Sequence, residues 1–333
     1  MPSIHQRQRF ATLATIVLLV PWFTLEVHGG DDQPKPTREL AGHQNRVVCC
    51  AFSPDGKTAF TGSLDNTLRI WDAESGKELH QCKHPEGVIC LAVSLDGKQV
   101  LTAANKTIYL WDVATGKQLR TFDETYFVWS VDFAPDGKEY LAATGNSLVQ
   151  GDYALVIRTI DTGKEVSRFK KTKWIVDAAI FSPDGKTVLA GCYDINRVRA
   201  LDRETWKEIR VIKGDMQEGY SRPVHAAGAD RLVTTCLVGY AAVVCDTKTG
   251  GVISKCKGHT SIVTKAAISA DGTKVLTGSF DKTARLWDAT TGKELRVLTA
   301  HTDIVQCVAL SADGKLGLTG GADRTVRLWQ LQK

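Results

Sequence analysis

Along most of this chain apolar and polar positions alternate with a period of two, as in VVCCAF at 47–52, KTAFTGS at 57–63 and NTLRIW at 66–71. Alternation rich in β-branched and aromatic residues predicts short strands, and the units carry no helical period. Turn signals punctuate the runs. Asp-Gly stands at Asp55-Gly56, Asp96-Gly97, Asp136-Gly137, Asp184-Gly185, Asp271-Gly272 and Asp313-Gly314. Asp-Gly between strands favours a tight hairpin, because glycine accepts a positive φ.

A longer period of about 40 residues overlies the short one. It reads LRIWDAESGK at Trp71-Asp72, IYLWDVATGK at Trp111-Asp112 and ARLWDATTGK at Trp287-Asp288, and closes with VRLWQ at Trp329-Gln330. Weaker copies end at Ile160-Asp161, Leu201-Asp202 and Cys245-Asp246. A unit this small cannot bury its own apolar face and must stack on its neighbours. Four strands and their turns fill each unit, so each is expected to be a small antiparallel sheet, seven in all.

The chain therefore resembles a WD-repeat β-propeller over residues 37–333, and an exported, bacterial-type, stand-alone member of that family. The resemblance implies an all-β, seven-bladed propeller with four antiparallel strands per blade. It also implies that a His, a Ser or Thr, an Asp and the Trp are linked by hydrogen bonds within a blade. Three units carry the whole set: His43, Thr61, Asp65 and Trp71; His259, Thr277, Asp281 and Trp287; His301, Thr319, Asp323 and Trp329. The second unit has His84, Thr102 and Trp111, but Asn105 replaces the Asp after a one-residue deletion. Recurring in register, these groups read as structural tetrads and not as catalytic dyads. The last unit lacks an outer strand, and Arg38–Ala41 (RELA) matches it, so the N-terminal strand is expected to complete the last blade and leave no open edge.

Residues 1–29 stand apart. Arg7 and Arg9 precede an apolar run from Phe10 to Val20, with Pro21 and then Val27-His28-Gly29 after it. A basic start, a short apolar core and small residues describe a signal peptide, and the run is short of the roughly 20 apolar residues that span a bilayer. Export to a periplasmic or extracellular space is the expectation, with no stable membrane insertion after cleavage. The alternative is an uncleaved N-terminal anchor reaching Leu25. Residues 30–36 form a polar leader.

The formal net charge of +5 is small, and its lysines and arginines alternate with acidic residues. Nucleic-acid recognition would need them clustered, so none is expected. The nine cysteines are odd in number and most lie in strand runs, which favours buried free thiols. Cys49, Cys90 and Cys307 share a repeat position, but stacked sheets lie about 10 Å apart, beyond the roughly 7 Å reach of a disulfide. No Cys-x-x-Cys, His-Glu-x-x-His or phosphate-binding glycine loop occurs, so no metal and no cofactor is expected.

The repeat fails in units three to five, which lack Gly-His and hold Ile160, Leu201 and Cys245 at the Trp position. The excess length of unit three falls at 144–153, and unit five has an irregular start at 214–224. A bond from His to Asp places the loop leading into each unit and the turn after its second strand on one face, here the top face. Aromatic residues gather in those loops: Tyr126, Phe127, Tyr153, Trp174, Tyr193, Tyr220 and Tyr240, with Arg46 at the matching place in blade one. Tyr and Trp on loops give large contact area with a polar tip. The expectation is a non-catalytic, monomeric scaffold binding a protein or peptide there. The alternative is a carbohydrate binder or hydrolase that uses the mouth as a pocket, with acidic candidates Asp123, Glu124, Asp152, Asp194, Asp215 and Glu218. A third possibility is that the irregular units are drift, their aromatics filling gaps left by lost tetrads.

Overall fold

A computed structural model describes residues 35–145, 153–172, 176–192, 197–213, 221–226, 230–236 and 239–332. The expected signal peptide lies outside them, as does most of the leader. Gln33–Lys333 form one compact unit.

The described strands make seven four-stranded antiparallel sheets. Their first strands are Val47–Phe52, Cys90–Val93, Phe127–Phe133, Val176–Phe181, Ser221–Ala226, Val263–Ile268 and Val305–Leu310, in blades 1 to 7. Each first strand contacts the first strands of the two adjacent blades, and blade 7 returns to blade 1. The protein is thus a closed seven-bladed β-propeller whose first strands surround the axis. Its cores are the spaces between blades. Trp71 and Phe52 of blade 1, for example, bury with Cys307, Leu318 and Leu328 of blade 7.

Closure is as the strand pattern predicts. Arg38–Leu40 pairs with the third strand of blade 7, in the register Arg38↔Leu328, Glu39↔Arg327 and Leu40↔Val326. Thr37 fastens it at both sides: its N–H donates to the Leu328 carbonyl at 2.8 Å, and its hydroxyl accepts from the Gln330 N–H at 3.0 Å. The glycines of all six Asp-Gly pairs have φ between 64° and 72°, the left-handed conformation such turns require.

All three tetrads form. In blade 1 the Trp71 Nε1–H donates to Thr61 Oγ1 at 2.8 Å, and Thr61 bonds His43 Nε2 at 2.8 Å. His43 Nδ1 reaches Asp65 at 2.8 Å. Because Asp65 accepts, Nδ1 carries the proton and Nε2 accepts from the threonine hydroxyl. His259 and His301 repeat this with Thr277 and Thr319, each at 2.7 Å. Burial alone would raise the Asp65 carboxyl, but hydrogen bonds from His43 and Thr67 hold it well below the usual carboxylate range. Asp281 and Asp323 are held low in the same way. Each tetrad ties its leading loop to its own blade, which puts that loop and the turn after the second strand on one face.

Blade 2 keeps half of this. His84 Nε2 bonds Thr102 at 2.8 Å, and Trp111 donates to the same hydroxyl at 2.9 Å. Ala104 pairs directly with Thr107, leaving two residues in a turn where blade 1 has three. No carboxylate can reach back, and His84 Nδ1 is buried without a partner. Burial pushes the His84 imidazole down to about 4.

Candidate functional site

The top-face loops receive some of the aromatic candidates and withdraw one. Arg46 is exposed at the end of the blade 1 loop, and Tyr126 is half-buried one residue before the matching place in blade 3, which Phe127 holds. Phe127 begins the first strand of blade 3, with its ring centroid 4.6 Å from that of Trp129. Tyr240 lies in the turn after the second strand of blade 5 and is 42% exposed. It has φ 49°, a left-handed conformation that is uncommon for a tyrosine. Trp174, Tyr193 and Tyr220 lie outside the described residues.

Tyr153 departs from expectation. It is 3% exposed, with its ring laid over Gly145 on the neighbouring strand, where a Cβ would come within 2.0 Å of it. The glycine leaves a hollow that the tyrosine fills, so this residue packs its own blade and offers no surface to a partner. Two exposed apolar residues join the face unforeseen: Leu64 and Phe280, in the corresponding turns of blades 1 and 6. In the sequence they are ordinary loop positions, and only the tetrad geometry of their blades shows which way the turn is held.

The acidic candidates divide differently. Asp123 is exposed and accepts from the Thr107 hydroxyl at 2.8 Å. Glu124 is 6% exposed and occupies the place of the missing His in blade 3. Its carboxylate takes Arg158 Nε at 2.7 Å and Nη2 at 3.2 Å, with Arg168 at 4.0 Å. Arg168 also bonds Glu165 at 2.6 Å. This forked pairing satisfies both oxygens, so Glu124 fastens blade 3 and is no free general acid. Asp152, Asp194, Asp215 and Glu218 lie outside the described residues.

Below the mouth, the first strands enclose an axial cavity of about 240 Å³. Its chemistry is unlike the loops. Trp129, Asp132, Lys265, Cys49, Cys90 and Cys307 all face it, none of them predicted as site residues. The Trp129 indole N–H is buried without a hydrogen-bond partner. Asp132 accepts from the Phe181 N–H of blade 4 at 2.8 Å, and burial pushes its carboxyl up to about 7. It is the one carboxylate among the described lining, whereas glycoside hydrolysis uses two, about 5–9.5 Å apart. Asp132 was visible in the sequence as a misfit in FVWSVDF, at a first-strand position where units one, two, six and seven place Ala51, Ala92, Ala267 and Ala309, whereas the Trp129 position varies from Val48 to Gln306 and gives no signal. No group of three or more His, Cys, Asp or Glu that could hold a metal occurs among the described residues.

A closed ring of seven sheets, three of them carrying His–Thr–Asp–Trp tetrads, defines a repeat propeller. The family model for the WD domain, G-beta repeat, matches residues 34–72, 76–112, 250–288 and 292–330, and the chain belongs to the WD-repeat β-propeller family. Curated relatives include ribosome assembly protein 4 of Saccharomyces cerevisiae, 38% identical over 65 residues, which are 19% of this chain and 13% of that protein. The U3 small nucleolar RNA-interacting protein 2 of Mus musculus is 34% identical over 79 residues, 20% of this chain and 17% of its own. Protein groucho of Drosophila melanogaster is 46% identical over 44 residues, 13% of this chain and 6% of its own. In each case the match spans less than a fifth of the relative's length.

Proposed function

We propose that this propeller is a non-catalytic scaffold that binds a protein or peptide through its top-face loops, acting as a monomer outside the cytoplasm. The observation that carries it is the set of apolar side chains held out to solvent on that face, Leu64, Tyr240 and Phe280, with Leu64 and Phe280 in turns that their tetrads hold in place. Exposed apolar groups on rigid turns are contact anchors whose ordering cost has already been met by folding. The name of one relative, an assembly protein, points the same way, whereas another is named for interaction with a small nucleolar RNA. Export rests on the signal-like character of residues 1–29. Among the described residues no helix is long and apolar enough to cross a membrane.

The test replaces Arg46, Tyr126, Tyr240 and Phe280 with Ala together, beside a control in which Leu79 and Leu119 of the outer strands are changed. Both variants are checked for folding and used to capture crosslinked proteins from cell-envelope extract. A discrete partner lost by the top-face variant and kept by the control supports the reading. The reverse pattern moves binding to the rim, and capture of nothing by the parent chain returns attention to small ligands of the axial cavity.

A further inference from the structure

The first strand of a propeller blade sends alternate side chains toward its two neighbours. In blade 1, Cys49 faces forward. Its sulfur lies over Gly62 beside Val88 of blade 2, where a Cβ on the glycine would come within 2.5 Å of it. Cys307 is the matching residue of blade 7 and also faces forward, over Gly320 and toward Val47 of blade 1, whose carbonyl lies 3.7 Å from its sulfur. Cys50, one residue further along, faces back. It packs against the core between blades 7 and 1 that contains Cys307, Val47 and Val326.

Thiols that share a repeat position therefore pack toward different blade interfaces, whereas Cys307 and Cys50 pack toward the same one. Cys90 points forward into the apolar core shared with blade 3. Leu91 holds the backward position in blade 2, so Cys49 has no thiol opposite. Among the described residues only the interface of blades 7 and 1 receives a cysteine from both sides. The 10 Å spacing of parallel stacked sheets does not apply there, because blades converge on the axis. The two first strands pack directly against each other, and Cys50 packs against the cluster that holds Cys307. Burial pushes the Cys307 thiol up, and the adjoining Cys50 sulfur pushes it further, which marks the two as direct neighbours. Both are free thiols in this structure, and both line the axial cavity of about 240 Å³.

We propose that Cys50 and Cys307 are a thiol pair that a hydroperoxide entering the axial cavity oxidises to a disulfide joining blade 7 to blade 1. Cys50, the more exposed, gives up its proton, and its sulfur attacks the peroxide. The O–O bond breaks, an S–O bond forms, and the departing oxygen leaves as water or an alcohol. The Cys307 sulfur then attacks that of Cys50. The S–O bond breaks, the S–S bond forms, and the hydroxyl leaves as water with the Cys307 proton. Two thiols lose two hydrogens and the peroxide is reduced. The bond would staple the interface beside the blade that the chain ends complete.

The experiment exposes the full chain to hydrogen peroxide, blocks remaining thiols with iodoacetamide, and maps non-reduced tryptic peptides by mass spectrometry. The expected product is a link between peptide 47–57 and peptide 297–315, placed by fragmentation on Cys50, in protein that runs as a monomer without reductant. Its unfolding temperature should exceed that of the reduced chain. Cys50→Ser should abolish both link and thermal shift, and Cys49→Ser should keep both. A link through Cys49, a link only between molecules, sulfinic acid without a bond, or two thiols still open to alkylation would each overturn the proposal. If Cys50→Ser does not fold, fragmentation of the parent peptide and the Cys49→Ser variant decide alone.

Discussion

Blades 1, 2, 6 and 7 and blades 3 to 5 are the same architecture fastened in two ways. The family model matches up to residue 112 and again from residue 250, while the four-stranded sheets continue without a break between. In the first group a histidine, a threonine and a tryptophan bind the leading loop to the blade. In blade 3 Glu124 stands where the histidine would and Ala142 where the threonine would, and the ladder puts Arg158, not the expected Ile160, where the tryptophan would stand, because Ile160 falls at the place of Ala73. There an ion pair to Arg158 takes over. The propeller thus depends on alternating strands, hairpin turns and burial between blades, and the tetrad is one fastening among several.

That difference can be broken most sharply at Glu124. Glu124→Gln leaves Arg158 facing a neutral amide, and removing one partner of a buried pair costs about 3–4 kcal/mol. Hydrogen-exchange mass spectrometry should show blade 3 opening while blades 6 and 7 stay protected. Thr61→Val attacks the other fastening. It orphans both His43 Nε2 and the Trp71 N–H, at a cost of about 3 kcal/mol by the usual penalty for buried unsatisfied groups. Opening should then centre on blade 1.

The response to pH should separate the halves in opposite directions. The folded-state pKa of His84 is depressed to about 4, so its contribution is complete above the unfolded value of 6.5 and is lost as pH falls toward 4. The loss is about 3 kcal/mol, and His84→Gln should flatten denaturant-measured stability over that window. Asp132 is raised to about 7 from 3.8, so its contribution is complete below about 4 and is lost as pH rises through 7. Asp132→Asn, which can still accept from Phe181, should flatten that rise-dependent loss. Parallel slopes in the two variants would contradict this division.

The smallest effect concerns Trp206. It holds a turn position with φ 57° where blades 1 and 2 have Gly76 and Gly116. Its ring stacks on Phe169 of blade 3 at 5.6 Å between centroids. Trp206→Ala and Trp206→Gly both lose that packing, but only glycine relieves the left-handed backbone. Glycine should melt higher by the equivalent of about 1 kcal/mol.

The fold was legible because its causes are local and repeated. Alternation, Asp-Gly turns and recurring Trp-Asp each state one blade, and RELA announces its own place by matching the missing strand. The tetrads were legible for the same reason. Glu124 was not, since its meaning lies in Arg158, 34 residues away, on a strand with no tryptophan to mark it. Tyr153 misled because a loop boundary in sequence does not show that Gly145 lies across the ladder waiting for a ring. Cys50 was overlooked because repeat position groups Cys49, Cys90 and Cys307, whereas contact between blades groups residues one step out of register.

The strand at Arg38–Leu40 also sets a timetable. Its partner strand is synthesised far later, since the bond from Gln330 to Thr37 joins positions 293 residues apart. On a ribosome or a translocation channel Arg38–Leu40 must wait, edge unpaired, until Val326–Gln330 has emerged. Closing so long a loop costs entropy that no local contact repays beforehand. The ring is therefore completed late and all at once, and a chain cut a few residues short of Gln330 would leave its earliest strand with nothing to join.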